Sequence, residues 1–281
     1  MAAEHFLERG LRHFGFVGHL EQLVSNEREA AFRSAIEAAG FTLAAYHDRK
    51  SRAFDPVGRR WPLDRGVQRW LRDLPKPVGI LAQTDLFGVQ LAEACRQARL
   101  RVPEDVAILG VDNDDLYCEL SRPALSSIVL PTQRIGYEAA ALLERLLAGH
   151  KPPAEPLLLR PLGVATRRST ETLAIDDADV VAAVRLIREN AHLPLRAADV
   201  LKQTPVGRRT LQQRRFRRWL GRGLSAEIRR VHVERAKRLL SETELPIKIV
   251  AEQSGFTDFR HMAVVFRQEL GLSPTAFRRQ G

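Results

Sequence analysis

"SGFTDFRHMAVVFRQELGLSP", residues 254–274, stands seven residues before the end of a 281-residue chain. Gly255-Phe256 interrupts a helical pattern, Thr257, Asp258, Arg260 and His261 then alternate with apolar residues, and Gly271 closes the run. A helix made only to pack needs neither a turn on one side nor so many long polar side chains. The spacing predicts a short helix with Met262, Val265 and Phe266 packed behind and Asp258, Phe259, Arg260 and His261 leading outward. Upstream, "PIKIVAEQS" (246–254) supplies a first helix, so the whole reads as a helix–turn–helix. About 50 residues earlier, "AADVLKQTPVGRRTLQQRRFRRWLG" (197–221) repeats the plan, with a turn at 204–207 and Arg208, Arg209, Gln212 and Gln213 opening its second helix. Only the major groove of DNA admits a helix and carries an unambiguous donor and acceptor code. Both second helices carry side chains long and polar enough to read it. An amphipathic bundle with a solvated basic face is the blander alternative.

The charge falls in the same place. The net charge is +10, yet residues 179–281 hold 21 Lys and Arg against 10 Asp and Glu, whereas residues 1–178 hold 23 against 24. Such asymmetry points to a polyanionic partner for one part of the chain. The two cysteines, Cys95 and Cys118, form no CxxC or framework and fit a reducing cytoplasm. No apolar run approaches the roughly 20 residues of a membrane span, and no signal-peptide pattern is present, so no membrane partner is expected.

Before this basic part, short apolar runs alternate with helical patterns: "HFGFVG" (13–18), "NEREAAFRSAIEAAG" (26–40), "FTLAAY" (41–46), "VGILAQ" (78–83), a helix-like 86–98 and "VAILGVD" (106–112). Alternation of this kind predicts an open, largely parallel α/β sheet. Ligands bind such sheets beyond the carboxyl ends of the strands. Arg28, Thr84-Asp85 and Asp112-Asn113 all fall there, bringing a bidentate donor and carboxylate acceptors to one edge. A lone Asp after a strand serves equally as an N-cap. No GxSxG, HExxH or phosphate-cradling glycine loop occurs, so no catalytic residue, metal or cofactor is expected, and enzyme readings lack support.

The motifs then resemble known families in order. "VPEDVAILGVDNDDL" (102–116), "PALSSI" (123–128), "GYEAA" (136–140) and "RRST" (167–170) resemble the sugar-binding core of LacI-type regulators and periplasmic sugar-binding proteins. They are most similar to the xylose-operon type of regulator, which joins that core to an AraC-type DNA-binding domain. The resemblance implies an α/β periplasmic-binding-protein-like domain at 1–170, a linker at 171–178 and an all-α domain with two helix–turn–helix units at 179–281. It implies sugar contacts from Arg28, Asp85, Asp112 and Asn113. It also implies a transcription activator that senses D-xylose or another pentose, acts as a homodimer on adjacent half-sites of double-stranded DNA and works with RNA polymerase. The AraC family's pattern is met by Arg235-Ala236, Leu239-Leu240, Ile247, Val250-Ala251, Gly255-Phe256, Asp258, Phe266, Gly271, Ser273-Pro274 and Phe277-Arg278.

Two departures carry expectations. The family places a Leu and a Phe four apart in its first recognition helix. Here Leu211 and Phe216 are five apart, which at 3.6 residues per turn demands a bulge if both are to face the same way. The opening "MAAEHFLERGLRHFGFVGHL" (1–20) reads as the end of a helix running into a strand, which by the resemblance is the entry to a second lobe. On that reading a first lobe is absent. The helix at 132–148 would then leave Ile135, Ala139, Leu142, Leu143 and Leu146 partly uncovered, and sugar binding would be weak and open-sided.

Overall fold

Three near-continuous apolar runs, 14–17, 78–82 and 106–111, form strands buried from end to end, the pattern of a parallel sheet covered on both faces. The structure, a computed structural model, describes residues 1–20, 22–48, 65–175, 177–203 and 215–279. It divides into two units: residues 1–129 with 164–176, and residues 130–163 with 177–281. Among the described residues no helix is long and apolar enough to cross a membrane.

The first unit runs α1 (Ala2–Leu7), β1 (His13–His19), α2 (Leu23–Ala38), β2 (Leu43–Asp48), α3 (Arg65–Asp73), β3 (Val78–Ala82), α4 (Asp85–Gln97), β4 (Val106–Asp112), α5 (Asp115–Leu120) and β5 (Ser126–Val129). A short β6 (Gly163–Ala165) follows, and the sheet order is β2-β1-β3-β4-β5-β6, with β1 to β5 parallel throughout. Side chains alternate across the strands, so Val17, Ile80, Ala82 and Ile108 pack with Val67 and Leu71 of α3 and Phe87, Leu91 and Cys95 of α4. Phe14 points the other way, into a cluster of Phe6, Phe32 and Phe41.

Polar residues stitch the far edge of this sheet. The Ser126 hydroxyl receives the Arg167 amide (2.8 Å) and the Thr170 hydroxyl (2.7 Å) and donates to the Arg167 carbonyl (2.9 Å). Ser169 receives the Ser126 amide and donates to the Ile108 carbonyl. These bonds explain why "PALSSI" and "RRST" are polar where a strand edge would be apolar: each segment supplies the other's buried hydrogen bonds.

The second unit begins with α6 (Thr132–Leu147), none of whose side chains is buried. Then come α7 (Ala178–Glu189), α8 (Ala197–Lys202), α9 (Phe216–Leu220), α10 (Leu224–Glu242), α11 (Ile247–Gln253), α12 (Phe259–Leu270) and α13 (Pro274–Arg278). Val180, Val184 and Ile187 bury one face of α7, and Asp177 caps it by accepting the Val180 amide. Around α10, the residues Val233, Ala236, Leu240, Val250, Ala251, Phe256, Met262, Val265, Phe266 and Phe277 form one core. Glu227 of α10 is 0% exposed and pairs with Arg222 (2.9 Å) and Arg230 (2.7 Å). Burial pushes its carboxyl up, but the guanidiniums of Arg230, Arg222 and Arg188 more than offset this and hold it below the ordinary glutamate range.

A carboxyl whose folded pKa is depressed stabilises the protein above its unfolded pKa and loses that contribution as the pH falls through the folded one. Replacing Glu227 leaves buried guanidiniums without their anion, so Glu227→Gln should cost about 3 kcal/mol. Thermal melts across pH 3–7 should show a lower midpoint at neutral pH and a flatter acid limb than the unaltered protein. Equal midpoints would contradict the assignment.

Candidate functional site

In the sheet order β2-β1-β3-β4, the connections leave the carboxyl ends of β1 and β3 in opposite directions and open a crevice between them. The residues there are already joined. The His19 amide, at the end of β1, donates to Gln83 Oε1 (2.7 Å) and to the Ser25 hydroxyl (3.0 Å). Gln83, just past β3, donates through its own side-chain amide to Gln22. Arg28, one turn into α2, donates to the Gln83 carbonyl and to Asp112 Oδ1 (3.2 Å) at the end of β4. The ends of β3 and β4 thus meet on one guanidinium, and Gln83 ties the end of β1 to them.

Asp112 and Asn113 have φ of 110° and 55°, a region that side chains other than glycine rarely adopt. Strain of that kind persists where surrounding bonds hold it. The Asn113 amide donates to the Ser127 hydroxyl (3.0 Å), Ser127 donates to Asp85 Oδ1 (2.5 Å), and the Asp114 amide donates to Asp85 Oδ2 (2.7 Å). Asp85 is 1% exposed, and both its oxygens are engaged. It therefore lies beneath the crevice, whereas Arg28, Asp112 and Asn113 line it. Gly110 makes room for it: a Cβ there would collide with the Asp85 carboxylate. Burial raises the Asp85 carboxyl above its ordinary range, against the lowering by its hydrogen bonds.

The capping alternative falls on neighbours. Thr84 caps α4 by accepting the Phe87 amide, and Asp114 caps α5 by accepting the Leu116 and Tyr117 amides. Asp112 keeps one oxygen without a partner among the described residues, and burial raises its carboxyl despite Arg28. Cys118, packed near Asp85, is held as a thiol because burial pushes its pKa up to about 12. The crevice offers carboxylate, guanidinium and amide groups to a polar, neutral ligand.

Two residues of this network escaped the sequence reading. Gln83 follows a strand without any motif of its own. Arg167 of "RRST" donates to Asn113 Oδ1 (2.9 Å), the Leu125 carbonyl (3.1 Å) and Glu119 (2.7 Å). The paired serines facing each other in "PALSSI" and "RRST" were the signal that these segments meet.

In the second unit, α11, a turn and α12 form a helix–turn–helix. Gly255 has φ 75°, and a Cβ there would lie 2.6 Å from both His232 Nε2 and the Leu193 carbonyl. Asp258 caps α12 by accepting the His261 amide (2.9 Å), which also lowers its carboxyl. Its carboxylate thus orients the helix, a role the reading of it as a base contact did not include. Phe259 (47% exposed), Arg260 and His261 lead outward, and Met262, Val265 and Phe266 are buried behind them, as the spacing predicts. The Arg260 guanidinium lies over the Phe259 ring at 5.9 Å, and His261 meets Phe256 edge-on. Val264 (54% exposed) and Arg267, also exposed, continue the Arg260 face at helical spacing.

In the first helix–turn–helix unit, Arg208, Arg209, Gln212 and Gln213, with Leu211, lie outside the described residues. The bulge expected between Leu211 and Phe216 lies there too, and the described chain resumes at Arg215, directly ahead of α9. Arg215 gives Nε and one terminal nitrogen to Asp177 (both 2.6 Å) and the other to Asp179 (2.9 Å).

The architecture has counterparts in known proteins. Residues 3–170 match the periplasmic binding protein-like domain, and residues 200–280 match a helix-turn-helix domain. The xylose operon regulatory protein of Haemophilus influenzae is 33% identical over 281 residues, covering 99% of this chain and 71% of the relative. That of Escherichia coli is 30% identical over 278 residues, covering 98% and 69%. The solved structure of a xylose-binding transcription activator aligns over 99% of this chain and 75% of that chain, with 29% identity and a TM-score of 0.51. With a polar-ligand crevice on one unit, a helix–turn–helix on the other and these matches along nearly its whole length, the chain belongs to the xylose operon regulatory protein family and is a sugar-responsive, DNA-binding transcription regulator.

Proposed function

We propose that the effector is D-xylose or a closely related pentose, held by Arg28, Asp112 and Asn113 with Asp85 supporting them from below. The observation that carries this reading is the Arg28–Asp112 pair at the switch point, beside two consecutive residues held at positive φ. Sugar hydroxyls need carboxylate acceptors together with guanidinium or amide donors, and the crevice supplies each. The relatives' names support xylose. On the DNA side, Phe259, Arg260 and His261 read bases from α12, with Val264 and Arg267 extending that face, and Asp258 fixes the start of the helix. Arg208, Arg209, Gln212 and Gln213 do the same from the first helix–turn–helix.

The protein acts as an activator rather than a catalyst, works in the cytoplasm as a homodimer and engages RNA polymerase at adjacent half-sites. Residues 1–170 respond to sugar, 171–178 link, and 179–281 bind DNA. Sugar binding changes how the two DNA-binding domains of the dimer are presented.

Two measurements test this. The Asp112 carboxyl is raised above the ordinary aspartate range, and the ionised form is the one that accepts a hydroxyl. D-xylose affinity should therefore fall about tenfold per pH unit once the pH drops below that raised value, earlier than for an ordinary aspartate. Asp112→Asn should bind weakly with no such slope, and calorimetry from neutral pH down through the aspartate range reads both. An unaltered protein whose affinity follows the same pH profile as Asp112→Asn contradicts the role given to Asp112.

For the DNA side, Arg260→Ala should cost about 1–3 kcal/mol on the preferred operator and relax preference at one base position. Binding of the unaltered chain should weaken steeply with salt as displaced counterions dictate. Equal loss on every DNA sequence would instead make Arg260 a phosphate contact.

A further inference from the structure

Asn113 is one of the three residues lining the crevice, and its side chain is not left to choose its orientation. A guanidinium carries N–H donors and no acceptor, so the atom of Asn113 that faces Arg167 at 2.9 Å is the carboxamide oxygen. Arg167 is itself fixed. Its side chain is largely buried, donates to the Leu125 carbonyl and pairs with Glu119, and its own backbone is bonded on both sides to the Ser126 hydroxyl. The Asn113 backbone is fixed as well, by the Ser127 hydroxyl at φ 55°. A carboxamide is planar, so its nitrogen points away from the group that holds its oxygen. The nitrogen has no hydrogen-bond partner among the described residues and is not among the buried unpaired atoms.

We infer that Arg167 is a positioning residue that sets Asn113 as a pure donor to the effector, so that the crevice floor reads its ligand with a fixed polarity: acceptor at Asp112, donor at Asn113. Arg28 holds Asp112 Oδ1 and leaves Oδ2 to accept, while Arg167 holds the Asn113 oxygen and leaves two N–H groups to donate. The complementary ligand is a vicinal diol in which one hydroxyl donates and its neighbour accepts. Discrimination of this kind is strong, because a ligand of opposite polarity leaves a polar group unpaired on both sides. The inference rests on the sugar-site reading above, and it adds the group that enforces polarity.

The test is calorimetry of the full chain with a panel of pentoses, D-xylose among them, on the unaltered protein and on Asn113→Asp, Arg167→Met and Arg167→Lys, with melting temperatures alongside. Asn113→Asp keeps and strengthens the contact to Arg167 but removes both donors. It should lose about tenfold or more in affinity with no drop in melting temperature. Arg167→Met should lose several-fold, and Arg167→Lys, which can still donate to the Asn113 oxygen, should restore affinity to within about threefold of the unaltered protein. If the unaltered chain binds no pentose, the sugar-site reading itself is overturned. If it binds and Asn113→Asp or Arg167→Met binds as tightly, the polarity assignment alone is overturned. Equal weakness of the Met and Lys variants would reduce Arg167 to a packing role and overturn the assignment too. Should Arg167→Met lose its melting transition, Asn113→Asp and Arg167→Lys decide by the same criteria.

Discussion

Asp85 lies against β4 with one carboxylate oxygen taken by the Ser127 hydroxyl and the other by the Asp114 amide. Those two bonds reach the strand on one side of the crevice and the loop that follows its neighbour. Through Ser127 the constraint passes on to the Asn113 amide, and through Asp114 to the first turn of α5. The positive φ of Asp112 and Asn113 is held in place by these bonds, and two of the three side chains that line the crevice project from that strained pair. Gly110 is the condition for all of it, since any side chain there would displace the carboxylate. A buried carboxyl is costly unless its oxygens are satisfied, and here the cost is offset by hydrogen bonds from a hydroxyl and a backbone amide rather than by pairing with a cation.

The second unit uses the same economy of means around a backbone turn. Gly255 lets the chain pass within contact of His232 and the Leu193 carbonyl, Asp258 starts the following helix, and Gly271 ends it at φ 71°. Ser273 caps the next helix with Pro274 in its first turn, Phe277 meets Phe266 edge-on, and Arg278 donates to the Leu245 carbonyl. Each position of the AraC pattern in this stretch thus has a local job in fixing the pitch of α12. At the other end of the unit, Arg215 binds Asp177 and Asp179, so the start of α7 is fastened to the residue directly ahead of α9. Glu227 gathers Arg222 and Arg230 at the start of α10. The unit carries an excess of positive charge, and Asp177, Asp179, Glu227 and Glu269 are acidic residues that pair with its arginines.

Much of this was legible before any coordinates. Parallel strands announce themselves as apolar runs because both their faces are covered, and Arg28, Asp112 and Asn113 stood out as polar residues directly beyond such runs. The outward and inward sets of α12 followed from spacing and caps alone. What the sequence did not reveal is long-range and polar. His19 meets Gln83 across 64 positions and Arg167 meets Asn113 across 54, and no local pattern encodes such partners. Asp85 was legible as a carboxylate at a strand end, but whether it faced up to a ligand or down into the protein depended on Gly110 and Ser127. Nor did any local pattern point to Asp177 and Asp179 as the aspartates that receive the Arg215 side chain.

The central claim is that the effector is held at the carboxyl ends of β1, β3 and β4 by the Asp112–Asn113 pair and Arg28. Hydrogen exchange of the full chain, followed by mass spectrometry with and without saturating D-xylose, locates the ligand without altering any residue. The account predicts slowed exchange in peptides spanning 110–118 and 23–30, where the Asn113 and Asp114 amides and the first turns of α2 lie. Binding of D-xylose that leaves those peptides unchanged and slows exchange elsewhere would contradict it.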